Sequence, residues 1–343
     1  MNELVEDLLA GKHSALARVI TKIENRSAGY REVVSALHEH AGHAEVIGVT
    51  GSPGAGKSTL VDKVAAEYRD RGHTVGVIAI DPASPYSGGA VLGDRIRMAS
   101  NAGDMDVFFR SMSARGSLGG LSTATTDAVT ALDAFGKDYV IVETVGAGQN
   151  EVDIVRAADT VAVLVPPGSG DDVQMLKAGI LEIGDVFVVN KADLDGTDRT
   201  VQQLREMLQG RSAAGHHGAS GTEMPDGEDG NDTAWEPPIV ETVASRGEGV
   251  EEFLAALSDH GDYLDRTGGR VEQARVRFAA EIRTLLREDA NRLLAVELDR
   301  QGGLDTHVDA VMARETDPYT VVDDVLAPLW DCLADGRESG PEP

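Results

Sequence analysis

A single cysteine, Cys332, stands among 343 residues, which leaves no intrachain disulfide and no multi-cysteine metal site. Aromatics make up only 4% of the chain, so aliphatic side chains must fill the core. Lysine is scarce: seven lysines face 58 Asp plus Glu, and the formal net charge is −27. That balance argues against a basic nucleic-acid surface and reads as a solvated acidic surface, of the kind that keeps proteins of halophilic organisms soluble in salt. No apolar run approaches the ~20 residues of a membrane span. The opening MNELVEDLLAGKHS carries early acids and lacks the apolar h-region of a signal peptide. The expectation is a cytoplasmic protein with no membrane and no nucleic-acid partner.

What is present is a change of period along the chain. Over residues 1–44 the apolar positions Leu4, Val5, Leu8 and Leu9, then Ala15, Ala17, Val19 and Ile20, recur at helical spacing. From 46 onward, short β-branched runs alternate with helix-length stretches. They are VIGVT (46–50), TVGVIAI (74–80), MDVFF (105–109), YVIVE (139–143), TVAVLV (160–165), DVFVV (185–189) and PIVETV (238–243). Such alternation predicts an α/β fold with a mainly parallel sheet flanked by helices. Residues 212–236 are rich in Gly, Ser and acid and aperiodic, which reads as a flexible acidic insertion. His216 and His217 within it read as solvated side chains. After 264 the chain is helical again, with a long charged segment from Val271 to Arg300. The expected layout is a helical extension over 1–44, a main domain over 45–264 and a helical arm for association over 265–343.

The densest signal is GVTGSPGAGKSTLVD, from Gly48 to Asp62. Gly51, four residues, then Gly56-Lys57-Ser58 fits G-x-x-x-x-G-K-[ST] between a strand and a helix. Glycines allow turns that aim successive backbone N–H groups inward as an anion nest, and the helix N-terminus adds its positive end. The candidate phosphate cradle is therefore Gly51, Pro53, Gly54, Ala55, Gly56, Lys57, Ser58 and Thr59. Lys57 would reach the β- and γ-phosphates, and Ser58 offers a hydroxyl to Mg²⁺. Asn190-Lys191-Ala192-Asp193 follows a strand and fits N-K-x-D. The Asp193 carboxylate can accept from N1–H and the exocyclic amine of guanine, a pattern adenine lacks. Asn190 would bond on the O6/N7 side, with the Lys191 stem along the ring. The expected ligands are GTP and GDP.

The strand YVIVE ends in Glu143, and Glu143-Thr144-Val145-Gly146 occupies the place of a D-x-x-G. A carboxylate there can hold Mg²⁺, and Gly146 lets backbone approach the γ-phosphate. Asp81 ends the second strand, in DPASPYSGGAVLGDRIRM, and Asp94 follows within a Gly-rich stretch. The candidate metal set is Ser58, Asp81, Asp94 and Glu143. Ala147 follows Gly146, where Ras-like enzymes carry a water-positioning Gln. Gln149 and Asp94 are the remaining candidates beside Lys57 for a catalytic part, so intrinsic turnover is expected to be slow.

GVTGSPGAGKSTLVD, AIDPASPYSGGAVLGDRIRM, FFRSMSARGSLGGLS, VETVGAGQNEVDI, GSGDDVQMLKAGI and VVNKADLD, in that order, closely resemble the MeaB/ArgK family of P-loop GTPases. The likeness is specific from about Gly48 to Asp195 and weaker through TVASRGEGVEEF and DPYTVVDDVL. It implies a homodimeric G-protein chaperone for an adenosylcobalamin-dependent methylmalonyl-CoA mutase, assisting cofactor loading, protection or reactivation. Cobalamin adenosyltransferase is a further partner it implies. It implies that Lys57, Ser58, Asp81, Asp94 and Glu143 are the phosphate and Mg²⁺ set. The Gly168–Lys177 stretch, with Asp171, Gln174 and Lys177, would be a third switch facing the partner. Ala244, in TVASR, matches the backbone contact to guanine O6. The acidic insertion and the overall charge depart from the family pattern. Asp305-Thr306-His307 begins like a cobalamin lower-ligand motif, but Ala310 stands where Gly belongs, and the segment reads as helix. The competing readings are a nickel-type metallochaperone GTPase and a transport-associated kinase or ATPase. The first calls for Cys or His clusters that the chain does not offer. The second calls for a pocket for a phosphate acceptor.

Overall fold

The structure is a computed structural model that describes residues 3–81, 104, 106–113, 123–144, 157–168, 180–213 and 234–338, with backbone alone at 81, 113, 211–213 and 333–338. Seven strands form one sheet in the order β3-β2-β4-β1-β5-β6-β7. They are β1 Glu45–Gly51, β2 Val75–Asp81, β3 Val107–Ser113, β4 Tyr139–Thr144, β5 Thr160–Val165, β6 Val186–Asn190 and β7 Ile239–Thr242. Every neighbouring pair is parallel. Each apolar run expected as a strand is one. β3 runs on to Ser113, past the expected end at Phe109, because its backbone pairing with β2 continues to Asp81↔Ser113; within that extension Arg110 Nη2 meets Glu24 at 2.8 Å.

The sheet is covered on both faces, and side-chain alternation shows how. Along β4, Val140 and Val142 enter one core while Ile141 enters the other. Along β6, Phe187 and Val189 take the first face, Val186 and Val188 the second. The first face is roofed by α1 Glu3–Leu9, α2 His13–Glu24, α3 Tyr30–His38 and α5 Thr123–Ala134. Val5, Leu8, Leu16, Ile20 and Leu37 are fully buried there. Residues 1–44, expected as an extension, thus contribute a layer of the main core. Asp133 of α5 locks their exit by accepting the N–H groups of Gly42, His43 and Ala44. The second face carries α4 Lys57–Asp70 and α7 Val250–Thr267. Leu60, Val64, Phe253 and Leu257 pack there against Ile47, Ile141 and Leu164.

Between β6 and β7, α6 spans Thr197–Ala213. Residues 214–233 of the acidic insertion lie outside the described residues. Trp235, placed within the insertion on composition alone, is docked: its Nε1 donates to Asp185 O at 2.8 Å, and its ring lies 4.8 Å from that of His260. An isolated aromatic in a polar run carries no period to reveal it.

The chain divides into two compact units, Met1–Arg277 and Phe278–Pro343. The division falls within α8, Gly269–Arg300, which is followed by α9 Gly303–Met312 and α10 Pro318–Glu338. His307 lies within α9, in keeping with the helical reading of its segment. In the second unit Phe278, Ile282, Leu286, Leu293 and Val296 are exposed at helical spacing. No helix among the described residues is long and apolar enough to cross a membrane.

Candidate functional site

The site lies at the carboxyl ends of β1, β4 and β6, where a parallel sheet gathers its loops. β1 ends at Gly51 with φ 131°, a left-handed-region value that favours glycine. A Cβ there would run into the backbone carbonyl of Leu164 on β5, so only glycine lets the chain turn so close to its neighbour. Gly56, at φ 90°, is the residue before α4, and a Cβ on it would strike the Asn190 side-chain amide. The N-cap Gly56 offers the first turn of α4 no side-chain cap, and a helix N-terminus is the end that favours an anion. Lys57 is 5% exposed, and its Nζ donates to Gly51 O at 2.6 Å and Ser52 O at 2.9 Å. The ammonium therefore sits beneath the loop. Pro53 and Gly54 form the exposed crest, Ala55 is buried, and Thr59 faces outward on α4.

Ser58 and Glu143 meet. The Ser58 hydroxyl donates to Glu143 Oε1 at 2.5 Å, and Glu143 is only 3% exposed. β1–β4 pairing sets this up by placing Glu143 opposite Val49. Beside them, Thr144 Oγ1 donates to Thr50 Oγ1 at 2.8 Å. A hydroxyl and a carboxylate converging next to a phosphate loop form an all-oxygen donor set, the kind a hard divalent cation takes. Asp81 closes β2, two strands from β1 on the same edge of the sheet. Asp94, Gly146, Gln149 and the stretch 169–179, with Asp171, Gln174 and Lys177, lie outside the described residues. Gly168, at the edge of that stretch, donates its N–H to Thr200 Oγ1 at 3.2 Å.

The N-K-x-D residues flank the phosphate loop, and the Asn190 amide bonds to protein at both its ends. It is 2% exposed; its Nδ2 donates to Ala55 O at 2.7 Å, and its Oδ1 accepts from Ala244 N–H and Thr242 Oγ1, both at 3.1 Å. It is a strut tying the phosphate loop to the Ala244 turn. Ala244 N–H, matched in the sequence reading to guanine O6, is here directed at Asn190. Lys191 adopts φ +66°, sparsely populated for a residue with a side chain, and its Nζ reaches Gly54 O at 2.8 Å. Its stem thereby spans the gap between the two loops. Asp193 is partly exposed and pairs with Arg246 Nη1 at 3.2 Å. Arg246 had no assigned role in the sequence. Its only signal was a guanidinium two residues after Ala244 in an acidic chain.

The fold recurs in known proteins. The family model for methylmalonyl Co-A mutase-associated GTPase MeaB matches residues 16–297. The chain belongs to the MeaB family of GTPases. It is 43% identical over 329 residues to a Pyrococcus abyssi protein that is itself named a GTPase only by inference, covering 95% of this chain and 96% of that one. Its identity to the GTPase ArgK of Escherichia coli is 33% over 283 residues, 81% of each chain. A crystal structure titled LAO/AO transport system kinase superposes with a TM-score of 0.63 at 24% identity, over 96% of this chain and 97% of that one, and shares the fold. As a family member the chain is a P-loop GTPase that binds GTP and GDP.

Proposed function

We propose that this MeaB-family GTPase uses its nucleotide cycle to act as a chaperone for an adenosylcobalamin-dependent methylmalonyl-CoA mutase. The carrying observation is the family match over residues 16–297, joined to a site in which Lys57, Ser58 and Glu143 converge beside the Asn190–Asp193 loop. Lys57 and the first turn of α4 bind the phosphates. Ser58 and Glu143, with Asp81 and Asp94, would hold Mg²⁺, whose positive charge would offset that of the phosphates. Asp193 reads guanine, Asn190 keeps the two loops in register and Lys191 walls the base.

Gln149 or Asp94 orients the attacking water, and slow turnover leaves room for the partner to complete the site. Gly168–Lys177 reports nucleotide state to that partner. Cobalamin adenosyltransferase is a second partner, and the protein works in the cytoplasm. The exposed apolar row Phe278, Ile282, Leu286, Leu293 and Val296 favours a homodimer, because a monomer gains nothing by wetting it.

Coupling requires that GTP and GDP states bind the mutase unequally. The test is GTP hydrolysis with and without the mutase of the same organism, in salt suited to an acidic protein. Stimulated hydrolysis, and nucleotide-dependent co-purification, is the expected result. A mutase that neither binds nor changes the rate removes it as the client while leaving the GTPase intact.

A further inference from the structure

Beyond the N-K-x-D residues, the structure carries a second layer around the base-reading carboxylate. The Arg246 guanidinium meets two acids at once. Nε donates to Glu248 Oε1 at 2.7 Å and Nη2 to Glu248 Oε2 at 3.2 Å, a two-point fork. The remaining Nη1 donates to Asp193 Oδ2 at 3.2 Å. The backbone beneath is tight. Val243 and Glu248 form an antiparallel bridge, with Val243 N–H donating to Glu248 O at 2.9 Å. Arg246 N–H returns to Val243 O, also at 2.9 Å, and the neighbouring Ala192 N–H reaches Thr242 O at 3.0 Å. The turn holding Arg246 is thus fastened to the loop holding Asp193.

We infer that Arg246 is a positioning residue for base recognition: with Glu248 bracing it, it fixes the rotamer of Asp193 and so sets how strictly the site demands a 2-amino purine. This rests on the guanine reading of Asp193. Three features support it. An isolated Asp at a loop tip rotates freely about χ1 and χ2, and an oriented acceptor pair loses less entropy on binding than a free one. Arg246 occupies one oxygen of Asp193 from the side, leaving Oδ1 and a further lone pair of Oδ2 for the N1–H and 2-amine of guanine. A chain of net charge −27 also presents an unfavourable field to an incoming anion, and Arg246 supplies a cation beside the base pocket. A solvent-exposed pair adds little to fold stability, so its effect belongs in ligand discrimination.

The readout is the ratio of affinities for GDP and IDP, because inosine lacks only the 2-amine. The parent chain should prefer GDP. Arg246→Ala should lower the GDP/IDP ratio about threefold, in line with the modest coupling of exposed pairs, with GDP losing more than IDP, which keeps N1–H but lacks the 2-amine. Glu248→Gln should lower it less. Arg246→Lys should restore it only in part, since an ammonium cannot bridge both carboxylates with the planar fork. In an Asp193→Ala background, Arg246→Ala should cause no further change in the ratio. Melting curves establish that each variant is folded, and Glu248→Gln keeps the test alive if Arg246→Ala is not. A ratio unchanged in Arg246→Ala and Glu248→Gln overturns the inference, as does an equal loss of GDP and IDP, which is what a merely structural role gives. A parent that binds GDP, IDP and ADP alike overturns the guanine reading and this inference with it. A selective parent with equally selective variants overturns the inference alone.

Discussion

The two ends of the sheet are both crowded with charge, and they handle it in opposite ways. At the amino end the charges close on one another. Asp159, 5% exposed, accepts from Val46 N–H at 3.0 Å and Arg277 Nη1 at 2.8 Å, and Arg270 stands 3.5 Å away. His260, also buried, shares a 2.8 Å hydrogen bond with Thr160 and is pushed down to about 4 by burial. At the carboxyl end, Lys57 leans on backbone carbonyls, the first turn of α4 is uncapped, and Asp193 and Lys191 face outward. One end closes most of its charges on one another within the fold. The other gathers a lysine, a hydroxyl–carboxylate pair and the start of a helix around one exposed loop.

That contrast can be broken most forcefully at Asp159. Replacing it by Ala strands the Arg277 guanidinium and a strand N–H, while Arg270 keeps its two contacts to Asp265, and should cost about 3 kcal/mol, near the lower end for a broken buried pair because the arginines are partly exposed. Denaturant unfolding measures it, and GTP hydrolysis per folded molecule should stay near wild type. Trp235→Ala should cost about 2 kcal/mol, through lost packing on His260 and Tyr263 and the lost bond to Asp185 O. A melting temperature unchanged in this variant would mean that the edge of the acidic insertion does not pack.

Glu45 sharpens the comparison through pH. Burial raises it to about 7, against an ordinary 4.5, and its Oε1 has no hydrogen-bond partner among the described residues. The folded chain then keeps a proton that the unfolded chain has released between those values. Its contribution is full below pH 4.5 and lost as pH rises through 7. His260 runs the other way: its contribution is present above 6.5 and lost as pH falls toward about 4. Glu45→Gln removes the first slope, so the variant should gain on wild type by about 3 kcal/mol as pH rises from acid to neutral. A difference that stays flat with pH would mean that Glu45 titrates normally.

The contrast also explains what could be read in advance. The carboxyl-end loops are local: Gly51 to Ser58 and Asn190 to Asp193 are short contiguous motifs, so the residue types declare the chemistry. All seven strands were legible because each contains a short β-branched or aromatic apolar run between breakers, though the polar second half of β3 was not. The amino-end network was not legible. Asp159 and Arg277 lie 118 residues apart, and no pattern in either neighbourhood announces the pairing. Asn190 shows the same limit inside a recognised motif: its identity was legible, but its role as a strut to Ala55 and Ala244 depends on β7 arriving beside β6. Arg246 was invisible for the same reason. The first-face burial of α1–α3 was half visible, since amphipathic spacing shows that a face is buried but not against what.

The most direct test of a ligand-ready carboxyl end is steady-state phosphate release from GTP and from ATP, with Mg²⁺, by wild type and Lys57→Ala. GTP should be hydrolysed in clear preference to ATP. Lys57→Ala should lower the rate by at least about 100-fold, the scale of removing one preorganised charge contact, with its unfolding midpoint hardly moved. Equal rates on GTP and ATP, or a Lys57→Ala variant that turns over GTP like wild type, would contradict the account.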